Sequence, residues 1–529
     1  MSAGERRSTR AVRAWRTAGA LATTVLLTGH VGTDDVFFAG SAGPWNVRVS
    51  IRQPGVIPGL ADISVRVAEP GVDSVLVTAR TIREGGGEAP PDDVAEPVRG
   101  ETGLYAAQLW LMTRGSHEVV VTVTGTAGRG VARVPIVAAA TKQLDMSRGL
   151  EMFVLGGGLF LVFGLLTIVG AASRESVLPE GQQPLPADRR RARVSMAIAT
   201  VVIAVVLFGG WTWVHAESEA HRALLDRPWS SEAMLRDAGT GRILEFAITE
   251  PLWVNRDDVD WRDANNRYRR ADLIPDHGKM MHMFVVRAGD QAAFAHLHPE
   301  RLDANRFAVA FPPLPAGTYR IHADLTHEDG FSHTLTASVE AGPPDAGGIA
   351  RDTATAAGSS ASPDADPDDA WWTAPADDAD AAERTTSALA DGSVMRWVNA
   401  DEPLVAGADA DLAFSVEDTA GVVVALDSYM GMRGHLMLSR DDGGVFVHLH
   451  PSGMISMAAQ STLDAASGMS GLHEGTDMAG LAGSISEGDS PIRFPMVVPE
   501  PGDYRIWVQV RRGARVLTGW FDARIEAAQ

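Results

Sequence analysis

The amino-acid sequence predicts a mainly β protein: three immunoglobulin-like β-sandwich modules, two transmembrane α-helices and an N-terminal signal segment. Three observations carry that prediction. Apolar residues alternate with period two along three long stretches, the pattern of half-buried strands. Two runs of about 20 residues contain no charge and match the thickness of a bilayer core. One hairpin-like segment with three histidines occurs twice.

At 529 residues the chain is long enough for about three or four domains, and its 45% hydrophobic content is that of a folded protein. A formal net charge of -21 repels phosphate backbones, which excludes nucleic acid as a partner. No cysteine is present, so disulfides, thiolate metal sites and cysteine nucleophiles are ruled out. Any soft-metal site would have to use histidine and methionine.

Residues 1–33 form a signal peptide or N-terminal anchor: Arg6, Arg7, Arg10, Arg13 and Arg16 precede an apolar run, Ala18 to Leu27, that is short for a full span. Residues 34–145 form the first extracytoplasmic sandwich, with "WNVRVSIR" and "HEVVVTVTG" as strands. Transmembrane helices follow at 152–172 and 194–214. The loop between them, 173–193, holds Arg174, Arg189, Arg190, Arg191 and Arg193, and positive charge beside a span marks the cytoplasmic side. Trp211 and Trp213 fall at the outer interface, which places both flanking regions outside. The expected location is a bacterial inner (cytoplasmic) membrane, with the main domains facing the periplasm or cell exterior and the lipid bilayer as one partner. Residues 238–341 and 395–527 are the second and third sandwiches. Between them, 342–394 is rich in Ala, Asp, Gly, Pro and Ser and is expected to be a disordered acidic linker.

The second and third modules repeat each other. "MHMFVVRAGDQAAFAHLHPE" matches "GHLMLSRDDGGVFVHLHPSG", and "FPPLPAGTYRIHADL" matches "FPMVVPEPGDYRIWVQV". Paired as hairpins, His282 is expected opposite His296 and Met280 opposite His298; in the repeat, His435 is expected opposite His448 and Met437 opposite Phe446. Period-two geometry then puts each trio of histidines on one face, within reach of one ion. Three imidazoles suit copper or zinc, and nearby Met280, Met281, Met283, Met430, Met432 and Met437 tilt the choice to copper. The candidate ligands are His282, His296, His298 and Met280, then His435, His448, His450 and Met437. An insertion after the second hairpin carries Met454, Met457, Met469, His473 and Met478, a plausible soft-metal catch. Packed histidine pairs and core methionines are the competing structural explanation. His277 could supplement the first trio; His322, His327 and His333 are expected around a solvated turn; His117 is expected on an exposed strand face.

"AGPWNVRVSIRQPGVIPGLADISVRV" in the first module resembles the YtkA-like/FixH-type extracytoplasmic domain, and "HMFVV…FAHLHPE…GTYRIHADL" is similar to modules of the same broad kind. That resemblance implies small immunoglobulin-like sandwiches tethered to membranes and associated with copper handling or cytochrome oxidase maturation. The first module lacks the histidine trio, so the resemblance gives it no ligand set.

No nucleophile elbow, Walker loop, dinucleotide fingerprint or H-E-x-x-H is present, and no enzyme activity is expected. The expected function is extracytoplasmic metal binding, with a copper ion captured, tolerated or delivered, alone or with a membrane protein complex or metal-handling partner. The alternative is a non-metal membrane scaffold whose histidines are structural.

Overall fold

The computed structural model describes residues 30–31, 35–81, 90–176, 178–179, 181–223, 225–238, 241–255, 271–343, 357–359, 366–374, 385–466, 491–498 and 500–528. The protein is mainly β, with several sheets and two long helices. Most of the proposed signal segment lies outside the described residues; His30–Val31 is a short strand.

The first unit is one eight-stranded sheet, from Val36–Ala42 to Gly128–Ala138, curled so that these first and last strands touch. Its strand Trp45–Arg52 shows the cause. Trp45, Val47, Val49 and Ile51 are buried and alternate with less buried Asn46, Arg48, Ser50 and Arg52, so one face supplies the core. His117, expected to be exposed, is instead buried on Gly115–Gly125, where its Nδ1–H donates to the Gly115 carbonyl at 2.9 Å. That strand is buried along most of its length, Ser116, Glu118 and Thr122 included.

Helices Arg148–Glu175 and Pro186–Ala223 are long and apolar enough to cross a membrane. Each extends beyond the expected span, and Phe153, Phe160, Phe163, Val205 and Phe208 face outward, uncovered by protein.

The second unit pairs a four-stranded sheet (Ser231–Asp237, Arg242–Ile248, Arg306–Phe311, Glu300–Arg301) with a seven-stranded one that contains His282–Arg287, Ala293–Leu297 and Gly317–His327. Phe246, Met283, Val285, Phe307 and Ile321 form its core. The third repeats the plan: a four-stranded sheet including Asp409–Glu417 faces a six-stranded one that contains His435–Arg440, Val445–Leu449 and Gly502–Arg512.

The expected linker is corrected in its described parts. Ala370–Thr373 pairs antiparallel with Ala293–Leu297, and Trp372 is buried against Trp507 and Trp520. The cause is local: two tryptophans in an otherwise small, acidic stretch supply the apolar area that a packed edge strand needs. Thr386–Ala388 already pairs with Val394–Trp397, so the third unit starts before residue 395.

The hairpin sheets of the second and third units pack face to face. Phe294 stacks on Trp507 with centroids 4.7 Å apart, and His322 stacks on Phe446 at 4.0 Å. Both are equivalent pairs in the repeat, one contributed by each unit, so the interface has approximate twofold symmetry. Every residue of Ala293–Leu297 is consequently buried, which is why that stretch shows no polar alternation.

Candidate metal centre

The hairpin register differs from expectation by two residues. Phe284, not His282, pairs with His296, and Met437 pairs with His448. A two-residue shift preserves the face, so the histidines still share one side of each sheet. That side is the inter-unit interface. Seven rings meet there: His277, His282, His296, His298, His435, His448 and His450, each with a ring centroid within 6.1 Å of another's.

His282, His296 and His298 bring one nitrogen each within 4.8 Å of one another. Their outer nitrogens are all engaged by acceptors. His282 Nε2 lies 3.2 Å from the Asp276 carbonyl oxygen, His296 Nδ1 2.9 Å from Gln509 Oε1, and His298 Nδ1 2.9 Å from Asp369 Oδ1. Gln509 Nε2 donates to Thr518 Oγ1 at 3.2 Å, which turns Oε1 toward His296. Carbonyl and carboxylate oxygens only accept, so each ring donates its one N–H outward. The inner nitrogens then hold lone pairs. In these tautomers His282 Nδ1 and His296 Nε2 turn lone pairs toward each other at 3.2 Å, and His298 Nε2 is buried with no hydrogen-bond partner among the described residues. Three inward lone pairs, each ring oriented by an outer acceptor, form a group that could hold a metal ion.

His277, His435 and His450 form a second such group. His450 Nδ1–H donates to the Ile455 carbonyl at 3.3 Å, leaving Nε2 without a hydrogen-bond partner among the described residues; both nitrogens of His435 are likewise buried and unpartnered there, and His277 Nε2 is buried without a hydrogen bond, 3.7 Å from Asp276 Oδ1. His277 sits at φ 51° in a turn whose counterpart in the third unit carries Met430 at φ 49°. An imidazole buried without a partner costs about 1–3 kcal/mol, and this group concentrates four such atoms. A cleft of 340 Å³, lined by Pro275, His277, Met457 and Ser461, opens on it.

Packing groups His282, His296 and His298 as the sequence suggests, but joins His435 and His450 to His277. His448, grouped from sequence with His435 and His450, turns its Nδ1 to Asp324 Oδ2 at 3.0 Å and keeps a buried Nε2 with no hydrogen-bond partner among the described residues, but it lies outside the group that His277 of the other unit forms with His435 and His450. The reason is the twofold pairing: Asp324 stands where the repeat has Gln509, and each reaches across to the other unit's central histidine. Met280 packs against the core of its own unit, and Met437 lies in the apolar interface with Phe284, Phe446 and Trp507. Met457 opens the helix Met457–Ala466 and lines the cleft, while Met469, His473 and Met478 lie outside the described residues. His322 and His327, expected near solvent, are buried; His327 Nε2 contacts His333 Nε2 at 3.2 Å. A third group, His298 with Asp366 and Asp369, has Lys279 Nζ 2.6 Å from Asp366 and 2.9 Å from Asp368.

Burial keeps these rings neutral. It lowers His277 and His282 and holds His296, His298, His435, His448 and His450 well below the ordinary imidazole value, with mutual repulsion adding to the shift. His322 falls to about 3 and His327 to about 4. Below pH 6.5 the unfolded chain binds protons these rings refuse, so their contribution to stability is present above that value and is lost as pH falls. Each ring contributes a slope of about 1.4 kcal/mol per pH unit. Burial raises Asp324 to about 6 and Asp369 to about 7, which works in the opposite direction and is lost as pH rises through those values. Burial raises Asp329 to about 6 in the same way, and the histidines outnumber these three carboxylates. The melting temperature of the metal-free protein should therefore fall between pH 6.5 and pH 4; a flat profile would show that the rings already carry protons.

A family described as a domain of unknown function (DUF8832) matches residues 258–342 and 388–527, which include both histidine hairpins. No curated protein matches the chain. Among solved structures, the chain is similar to trypsin-activated alpha-2-macroglobulin from Escherichia coli (9% identity, 95% of this chain and 24% of that chain, TM-score 0.17). It is also similar to dimeric latent PorU from Porphyromonas gingivalis (9% identity, 94% and 34%, TM-score 0.13) and to the endo-fucoidan hydrolase MfFcnA4 from glycoside hydrolase family 107 (7%, 90% and 43%, TM-score 0.14). The chain spans less than half the length of each of these structures.

Proposed function

We propose that the paired second and third units bind copper between them and that the protein captures or delivers this ion at a membrane surface, without catalysis. The observation that carries the reading is the proton count at His282, His296 and His298: three outward N–H groups satisfied, three lone pairs turned inward. His277, His435 and His450 would hold a second ion. All six donors are neutral imidazoles, and with Met457 at the cleft and no cysteine in the chain, this soft-to-borderline set suits copper. In this reading the ion would sit between the facing lone pairs, and the chain's own residues would orient and desolvate the donors.

The test is elemental analysis and copper(I) titration of the full chain purified without chelators. About two equivalents per chain are expected from the two trios; a metal-free protein that takes up none would reject the reading. The rival, a scaffold with structural histidines, draws on the His296–Gln509 and His448–Asp324 contacts, which join the units without any ion. It predicts a negative titration.

The proposed orientation puts the three β units outside, three immunoglobulin-like sandwiches on a bacterial inner membrane. Because the chain has no cysteine, single substitutions report cleanly. An impermeant maleimide should label Ser218→Cys on intact cells and leave Gln183→Cys unlabelled; the reverse pattern would invert the topology.

A further inference from the structure

The first unit carries neither histidine trio, yet it is fastened to the loop that orients one of the proposed ligands. After His450 the chain turns through Gly453, whose N–H donates to the His450 carbonyl at 2.9 Å. Ser452 accepts from Ala39 N–H at 2.9 Å, and Met454 N–H donates to the Phe37 carbonyl at 3.1 Å, so the loop extends the edge strand Val36–Ala42. Ile455 then inserts its side chain into the core of the first unit, beside Phe38. Its carbonyl is the acceptor for His450 Nδ1–H. The same segment continues into the second unit: Ser456 Oγ lies 2.9 Å from Thr326 Oγ1, and Ala458 N–H donates to Asp276 Oδ1 at 2.9 Å, next to His277. Residues 450–458 thus connect all three units. Away from the loop, Arg48 Nη2 pairs with Asp411 Oδ2 at 2.8 Å and adds a polar contact between the first and third units.

We infer that the first unit is a positioning element for the His277/His435/His450 trio, acting through Gly453 and Ile455. The inference rests on the proposed metal site. The Ile455 carbonyl decides which nitrogen of His450 carries the proton and which way the ring faces, and outer-shell acceptors of this kind change metal affinity about 10–100-fold. The carbonyl is itself held in place by a side chain buried in another unit's core. The other trio takes its outer acceptors from Asp276, Asp369 and Gln509, none of them in the first unit. Displacing the first unit should therefore loosen one ion and not the other.

The test uses the full chain in detergent, titrated with copper(I) against a chromophoric competitor, with cobalt(II) as a spectroscopic probe. At Gly453, φ is +108° and a Cβ would collide with the Phe37 carbonyl oxygen, so Gly453→Ala should push the first unit off the loop. One equivalent should weaken at least about tenfold, with a changed cobalt ligand-field band, while the second keeps its affinity. Ile455→Ala removes the anchor with the backbone left free to fold, and it should weaken the same equivalent; Ile455→Val should restore it. If Gly453→Ala fails to fold, the Ile455 pair decides. Two unchanged equivalents in Ile455→Ala, or equal loss of both, would overturn the inference. A wild-type chain that takes up no copper would instead sink the metal reading itself.

Discussion

Replacing His277 with alanine should weaken one of the two copper equivalents by about 100-fold or more, beyond what loss of an outer-shell contact produces. His448→Asn should leave both equivalents within a fewfold of the wild type. His277 belongs to the second unit, but its buried Nε2 makes no hydrogen bond among the described residues, lies 3.7 Å from Asp276 Oδ1, and groups with His435 and His450 of the third. His448 also has a buried Nε2 with no hydrogen-bond partner among the described residues, but it lies outside that group. Its Nδ1 meets the Asp324 carboxylate at 3.0 Å across the interface, and an asparagine amide can still donate there. The two substitutions separate the ligand set that chain order suggests from the one that packing assembles. Competition titration of both variants checks this, and a larger loss in His448→Asn than in His277→Ala would show that each hairpin keeps its own ion.

Trp507→Ala should destabilise the chain by about 3–5 kcal/mol, the cost of deleting a large buried aromatic. Trp507 is fully buried and lies flat on Phe294 of the other unit, with Trp372 against its edge and Met437 and Phe446 in the same cluster. Truncation would open a cavity at the centre of the inter-unit contact. Because all seven histidines lie on that contact, the loss should also appear as weaker uptake of both ions. Chemical denaturation followed by tryptophan fluorescence, read beside the copper titration, tests both effects. A small stability change with full metal uptake would mean that the units are held together elsewhere.

Part of this arrangement was legible before any fold was known. Alternation at Trp45–Arg52 and the charge-free runs around Phe160 and Val205 identify strands and long apolar helices, because each depends only on a local period or on length. The face shared by His282, His296 and His298 was also readable, since parity along a strand survives a register error of two residues. The register itself was not. It depends on turn geometry that leaves Phe284 opposite His296. The acidic stretch around Trp371 and Trp372 was misjudged on composition, which averages away two large side chains that find an edge strand to cover.

His277 marks the boundary between the two kinds of knowledge. Chain order places it beside the first trio, and its counterpart in the repeat is Met430, so no internal comparison signals its role. Sequence alone determined which elements form and which side of each strand carries imidazoles, because those follow from backbone periodicity. Only the tertiary structure decided which rings meet, which nitrogens keep their lone pairs, and that a ligand-free unit holds the His450 loop. Those outcomes depend on how separate sheets pack, and packing is a property of surfaces that the order of residues does not list.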